Sequence, residues 1–578
     1  MFKDQPKGLF ALALANTGER FGYYTMLAVF VLFLKDNFGL SEDAAGNIYA
    51  TFLAGVYFLP FIGGILADKF GYGKMVTIGI VTMFAGYTLL AWPLGTENIA
   101  LYAMYGALAL ISIGTGLFKG NLQVMVGNLY DDPKYSHKRD AAFSLFYMAI
   151  NLGSLFAPSA ASAIKKYALD AGWVSTTGEA YHFAFGIACI SLIFSILVYL
   201  FTRNTFKHVE NGAPKAKAGS TTSVAENAKD TKARIIALCM VFAVVIFFWM
   251  AFHQNGLTLT FFAEQFTNLH ATAGIQSMSF NVWNLVLVIV AIYAAFSVVQ
   301  SQSVKSKAIA SAVVLACVAG LAAIYVYSSG EKEITAEMFQ QFNPFYVVAL
   351  TPVSMALFGW LANRGKEPSA PRKIALGMLV AGIGFAVLAF GSCSLNTPTD
   401  QKKSQIAVDA KEFAVRLDNA SDENAVKEIE LDIQKYKDNL VKANNPENEV
   451  LFNQALTLTQ NTTNIASFDV HKATNTKPLM TTSPYWLILV YLILTFAELL
   501  LSPMGISFVS KVAPAKYKGM MMGGWFVATA IGNYLTKIGS QFWGDMPLWG
   551  VWSIFVAVCL IAAIFMFAMM KKLEDATK

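Results

Sequence analysis

Charge is scarce in this chain: only 14% of its 578 residues are Asp, Glu, Lys or Arg, against about 25% in ordinary soluble domains. A soluble protein of this length cannot cover its surface with so few charges. Cysteine is scarcer still. The five cysteines, Cys189, Cys239, Cys317, Cys393 and Cys559, have neither metal-ligand nor redox spacing, which excludes a disulfide scaffold. The six histidines are scattered and form no HExxH pair, so no metal and no cofactor is expected. Disorder and collagen-like composition are excluded by a hydrophobic content of 56%. The net charge of +6 does not point to nucleic acid, because the basic residues lie in loops between apolar runs. The composition leaves an all-α polytopic membrane protein.

Apolar runs long enough to cross a bilayer need roughly 17–25 residues. Such runs fall at about 9–34, 45–66, 75–94, 98–128, 141–166, 180–202, 233–263, 281–300, 307–328, 343–363, 373–394, 484–510, 518–540 and 548–571. About 14 spans are therefore expected. The first run is interrupted by Glu19 and Arg20 and has no cleavage-like site, so it reads as a retained span rather than a signal peptide. With the N-terminus placed in the cytoplasm, the predicted inner segments collect Lys134, Lys138, Arg139, Arg203 through Arg234, Arg364, Lys366, Arg372, Lys373, Lys571 and Lys572. The short outer loops near 36–44, 95–97 and 541–547 hold no basic residue. This asymmetry puts both termini in the cytoplasm.

Two polar pieces divide the chain. The Lys-, Ala- and Ser-rich stretch 203–232 reads as a flexible cytoplasmic linker between residues 1–202 and residues 233–578. The charge-rich segment 397–483 reads as an external insertion. Val426, Ile429, Ile433, Tyr436 and Leu440 recur at helical spacing, Asn444-Asn445-Pro446 breaks the pattern, and a second run follows through Leu451 and Leu456. The expectation is a small helical hairpin with no direct part in chemistry.

An ionisable side chain at the centre of a span costs about 2.5–3.5 kcal/mol on insertion scales. The chain nevertheless places Glu19 and Arg20 in its first span, Lys119 in its fourth, His253 in its seventh and Glu498 in the run starting at 484. A shared polar cavity accounts for them together. Asn16, Glu19, Arg20, Tyr23 and Leu27 share one helical face. Adjacent Glu19 and Arg20 leave the helix about 100° apart, so they are not expected to neutralise each other. Lys119 lies within Gly114-Thr115-Gly116-Leu117-Phe118-Lys119-Gly120-Asn121, whose glycines permit close helix approach. Glu498 precedes Ser502-Pro503, where the proline kinks the helix and frees backbone groups. His253 follows Trp249 and precedes Gln254 and Asn255; its reference pKa of roughly 6.5 suits proton handling.

These residues carry a resemblance. Phe146-Tyr147-Met148-Ala149-Ile150-Asn151-Leu152-Gly153-Ser154 resembles the FYxxINxGS signature of the proton-dependent oligopeptide transporter family, within the major facilitator superfamily. Glu19-Arg20-Phe21-Gly22-Tyr23-Tyr24 resembles the end of that family's ExxERFxYY motif, and Gly63-Gly64-Ile65-Leu66-Ala67-Asp68 resembles the superfamily loop between helices 2 and 3. Trp249 to Gln254, Asn343-Pro344 and Glu498 through Pro503 match later blocks in order. The resemblance implies two six-helix bundles rocking around a central site, with di- and tripeptides and protons as partners in a bacterial cytoplasmic membrane. It implies that Arg20 and Lys119 hold the peptide carboxylate. Glu498, helped by Asn151 and Asn343, would hold the amino group. Tyr23, Tyr24, Tyr57, Trp249 and Trp525 would line side-chain pockets.

The chain also departs from the family pattern. Asn16 stands where the first Glu of ExxER belongs, Leu27 where a second arginine is usual, and His253 where a glutamate is usual. In relatives the last two positions commonly form a salt bridge, and their joint loss strands no buried charge. The runs 281–300 and 307–328 form an extra helix pair after the seventh span, whereas bacterial relatives usually carry one before it. The leading expectation is peptide import by proton symport. Glu19 pairs with Lys119 until protonated, and His253 is a second proton site. The alternative is a proton-independent facilitator, or a carrier of another zwitterionic solute. A membrane enzyme would need a nucleophile–base pair or metal cluster that the scattered His and Cys do not form.

Overall fold

The computed structural model describes residues 5–95, 98–211, 228–271, 274–327, 332–442, 446–514, 518–544 and 546–576. The first six long helices are α1 (Lys7–Phe38), α2 (Glu42–Phe70), α3 (Tyr72–Ala91), α4 (Asn98–Asn128), α5 (Arg139–Asp170) and α6 (Thr177–Phe201). After them come α7 (Ala228–Phe252), α8 (Thr258–Phe266), the short α9 (Ile275–Ser279), α10 (Val282–Gln300), α11 (Val304–Tyr327), α12 (Phe342–Asn363) and α13 (Ala370–Gly391). The insertion holds α14 (Pro398–Asp418), α15 (Glu423–Lys442), α16 (Pro446–Gln460) and α17 (Val470–Thr474). The chain ends with α18 (Pro484–Val512), α19 (Lys518–Leu535), α20 (Ile538–Gln541), α21 (Leu548–Ala568) and α22 (Met570–Asp575).

Helices are the expected answer to an apolar solvent, because each satisfies its own backbone hydrogen bonds. Among the described residues, 12 helices are long and apolar enough to cross a membrane, with 231–266 counted as one path through α7 and α8. The other two expected spans, α1 and α19, are also long helices; α1 packs on α5 and α6, and α19 on α2 and α7. Glu19 and Arg20 lower the apolarity of α1 without expelling it from the bundle, since both are buried.

The helices α1 to α6 pack mainly on one another, and α7, α12, α13, α18, α19 and α21 form a second set. Small residues set the closest approaches. A Cβ on Gly114 of α4 would lie 2.6 Å from the Gly79 carbonyl oxygen of α3. Only a glycine admits that contact, which is how packing is won where solvent and side chain are equally apolar. The extra pair α10–α11 lies on the outside. Trp283 of α10 meets Phe156 of α5 edge-on at 5.3 Å, and the Tyr293 hydroxyl donates to the Val348 carbonyl of α12 at 3.3 Å.

Two sequence expectations change here. The insertion is not a hairpin but three longer helices and a short fourth around their own core. Ile406 and Ala410 of α14, Ile429, Ile433 and Leu440 of α15, Phe452 of α16 and Val470 of α17 form it. The helix read from 426–440 is α15; α14 escaped notice because its buried face is mostly Ala and Ser rather than large apolar residues. The expected linker 203–232 is structured at both ends. Residues 203–205 and 207–209 form 3-10 turns, with Glu210 gripping Arg203 at 2.6 and 2.7 Å, and α7 already begins at Ala228. The flexible portion expected at 212–227 lies outside the described residues.

Candidate functional site

Charged and aromatic side chains from both helix sets meet inside the bundle. On α1, Arg20 reaches back along the helix to Glu19. Its Nε lies 2.5 Å from one carboxylate oxygen and its Nη2 2.7 Å from the other. The expected divergence of these neighbours is therefore overturned. The two Cα–Cβ bonds do diverge, but the arginine stem is long enough to close the angle and present a two-pronged fork. Both groups are buried, and the Arg20 guanidinium also lies 5.0 Å from the centre of the Tyr23 ring. Tyr24 meets Tyr23 edge-on at 5.2 Å.

Lys119 of α4 has no carboxylate within salt-bridge distance among the described residues. Its Nζ sits 4.1 Å above the Tyr57 ring instead. A desolvated cation over an aromatic face gains about 2 kcal/mol. That ring begins a stack across the two helix sets. Tyr57 of α2 meets His253 at 5.8 Å, and His253 lies nearly parallel to Trp249 of α7 at 5.4 Å. The expected Glu19–Lys119 pair is thus replaced by Glu19–Arg20, although Lys119 remains within electrostatic reach of both.

The anionic pole lies on α18. Asn343 of α12 donates from Nδ2 to Glu498 at 2.9 Å, and the same nitrogen lies 3.1 Å from the Thr495 hydroxyl. Pro503 lies one turn beyond Glu498 within the same helix. It leaves a backbone carbonyl without its helical donor and loosens the helix next to the carboxylate. Tyr24 and Tyr57 lie within electrostatic reach of both Arg20 and Glu498. Trp525 of α19 is buried with its ring against Gly505 of α18, where a Cβ would fall 1.9 Å from the indole. Such an arrangement holds a solute with one cationic and one anionic end and accepts varied bodies between them.

Comparison with known proteins decides the family. The sequence profile of the POT family matches residues 73–222, 323–425 and 451–548, together more than half of the chain. The chain belongs to the POT family. It is 27% identical over 571 residues to an uncharacterised transporter, YclF, of Bacillus subtilis, covering 94% of this chain and 90% of that protein. It is 24% identical to dipeptide and tripeptide permease B of Xenorhabdus bovienii, covering 92% and 86% of the two chains. A di-/tripeptide transporter of Lactococcus lactis subsp. lactis is 29% identical over 67% of this chain and 76% of its own. Among solved structures, a peptide transporter POT in complex with sulfate superposes with a TM-score of 0.64 at 21% identity, covering 100% and 96%. A POT family transporter in complex with 5-aminolevulinic acid gives 0.65 at 17%, covering 99% and 98%. The fold is that of two six-helix bundles with an added helix pair, and this POT family chain is a multi-pass membrane transporter, not an enzyme.

Of the site residues expected from sequence, the structure joins Asn343 to Glu498, Arg20 to Glu19 and Tyr23, and Lys119 to Tyr57, His253 and Trp249. Asn151 is not on Glu498. Its Nδ2 donates to the Tyr147 carbonyl one turn earlier at 3.0 Å. Tyr147 itself lies within electrostatic reach of Glu498, Tyr24 and Tyr57, and sequence reasoning passed it over although it stands inside the quoted signature. Further residues were missed. Tyr49, Tyr87 and Asn533 are buried with polar atoms that have no partner among the described residues, as are Asn16 Nδ2, Trp249 Nε1 and His253 Nε2. Each such atom costs about 1–3 kcal/mol unless water or a ligand meets it, and two of them, Trp249 Nε1 and His253 Nε2, belong to the ring cluster itself. Leu27 is buried and apolar.

Proposed function

We propose that this POT family transporter imports di- and tripeptides by alternating access and proton symport. Residues 1–202 and 233–578 are the two moving bodies, and 203–232 joins them. The observation that carries the reading is the pair of opposed poles. Arg20 and Lys119 supply the cationic pole and Glu498, held by Asn343, the anionic one, and Tyr24 and Tyr57 lie within electrostatic reach of both Arg20 and Glu498. The cationic pole receives the peptide carboxylate and Glu498 with Asn343 the amino group. Asn151 supports that end through its own helix. Tyr23, Tyr24, Tyr57, Trp249 and Trp525 line the pockets between. A buried opposite-charge pair needs a partner at each end, which a zwitterion supplies at once.

Glu19 is the proton acceptor in this reading. While it is ionised it holds Arg20. Once protonated it releases the guanidinium, which with Lys119 then meets the substrate carboxylate. His253, stacked on Trp249 and edge-on to Tyr57, is the second proton site in this reading, supported by an Nε2 without a partner among the described residues. In this reading both termini lie in the cytoplasm of a bacterial cell and the insertion outside, which the basic residues on the terminal side of the spans support.

Uptake of labelled dipeptide into proteoliposomes under an imposed proton gradient tests this. The reading expects accumulation that collapses in Glu19→Gln. Accumulation that ignores both the gradient and the substitution supports the rival, a proton-independent facilitator or a carrier of another zwitterion. Leu27 favours that rival, because it offers no ionisable partner opposite His253.

A further inference from the structure

A second set of charges closes the end of the bundle that carries the insertion. Lys35 of α1 forms an ion pair with Glu264 of α8 and lies 3.6 Å from Glu42 of α2. Gln265 of α8 donates to Glu42 at 3.1 Å. Lys165 of α5 lies 2.7 Å from Glu337 in the 3-10 turn Ala336–Gln341 that leads into α12. Its Nζ is also 4.9 Å from the ring centre of Tyr181 on α6, whose hydroxyl donates to Asp36 at 2.8 Å. The contacts of Lys35, Glu42 and Lys165 join α1, α2 and α5 to α8 and the turn before α12, so they break when the two bodies part at this end, whereas those of Tyr181 stay within the first body.

The charges do not balance. Asp36, Glu42, Glu264 and Glu337 face Lys35 and Lys165, four carboxylates against two lysines. Lys402 of α14 lies within electrostatic reach of Glu42 and offsets one. Lys35 is taken by Glu264 and Lys165 by Glu337. Among the described residues Asp36 has no lysine of its own; its electrostatic neighbours are Glu264, Lys35 and Lys165, and Tyr181 donates a hydrogen bond to it. The second observation comes from Glu337. It is 1% exposed, and beyond the Lys165 ion pair neither of its oxygens receives a further hydrogen bond from the described residues. This interface holds four carboxylates against three lysines, Lys35, Lys165 and Lys402.

We propose that Asp36 is a proton-binding residue that sets the closure of the insertion end. Bringing the two bodies together puts Glu264 within electrostatic reach of Asp36 in a partly dehydrated interface, where like charges repel. A proton on Asp36 removes that repulsion, and the neutral carboxyl still pairs with the Tyr181 hydroxyl. Acid therefore favours the closed arrangement. The site is distinct from Glu19, Lys119 and His253, and it regulates a step rather than carrying the coupled proton.

The test is the closure equilibrium of the full chain in lipid nanodiscs, without substrate or gradient. Spin labels at Asp43→Cys and His270→Cys, both exposed, report the distance across this end. The exposed Cys239 and Cys393 are replaced by Ser in that background. The closed-to-open ratio is expected to rise as the buffer turns acidic, by up to about tenfold per pH unit, the limit for one linked proton. Asp36→Asn removes the dependence and stays closed. Tyr181→Phe, which deletes the donor that favours the ionised form, moves the midpoint to higher pH. Wild-type pH dependence retained in Asp36→Asn, or an unmoved midpoint in Tyr181→Phe, overturns the proposal. Since no peptide or gradient is present, failure of the proton-symport reading leaves this result standing, and the reverse also holds.

Discussion

Arg20 is held by Glu19, its neighbour in sequence, through two hydrogen bonds of 2.5 and 2.7 Å inside the bundle. This pair replaces the expected Glu19–Lys119 pair and leaves Lys119 over the Tyr57 ring. Breaking a buried pair by removing one partner costs about 3–5 kcal/mol, because the other charge is stranded. Glu19→Gln should lower the melting temperature of the detergent-solubilised protein by several degrees. Glu19→Gln combined with Arg20→Gln should recover most of that loss while peptide uptake stays abolished. Thermal unfolding followed by tryptophan fluorescence reads the first effect, and uptake the second.

Asn343 is the side-chain donor that fixes Glu498. A hydrogen bond to a charged group contributes about 1.5–3 kcal/mol. Asn343→Ala should therefore raise KM for dipeptide roughly 10- to 100-fold, with little change at saturation. Separate determination of KM and maximal rate in proteoliposomes checks this.

Gly505 makes room for Trp525. A methyl group there would lie 1.9 Å from the indole, so Gly505→Ala must push the ring aside. Overpacking of this kind costs about 1–3 kcal/mol. Competition by peptides with bulky side chains should weaken more than competition by dialanine, because the displaced ring enters the pocket.

The insertion has its own titrating pair. Asp409 accepts the Tyr436 hydroxyl at 2.6 Å, and burial raises its carboxyl above the usual range despite that bond and the one from Gln405. A raised folded-state pKa means stability present at low pH and lost as pH rises through the folded value. Hydrogen exchange of residues 397–483 should therefore slow, relative to its intrinsic rate, as pH falls through that window. Asp409→Asn should erase the trend.

Much of this architecture was legible in the sequence because the bilayer imposes simple rules. All fourteen apolar runs are helices, and the costly intramembrane charges Arg20, Lys119 and Glu498 do converge with Tyr24 and Tyr57. What escaped depends on side-chain reach and on small residues. Helical angles alone hid the Glu19–Arg20 fork. Alanine-rich packing hid α14, and Asn151 turned out to bond its own helix. Asp36, Glu264 and Glu337 lie near helix ends, where a charge looks ordinary in sequence. Only the joining of distant helices shows that they share one interface.

The central claim is that opposed poles bind the two ends of a zwitterion. Exchange of labelled dialanine across proteoliposomes tests it most directly, with unlabelled dialanine, its N-acetylated form and its C-amidated form as competitors. The account predicts that dialanine competes and that each capped form is at least about tenfold weaker, one hydrogen-bonded charge having been lost at one pole. Equal competition by all three would contradict it.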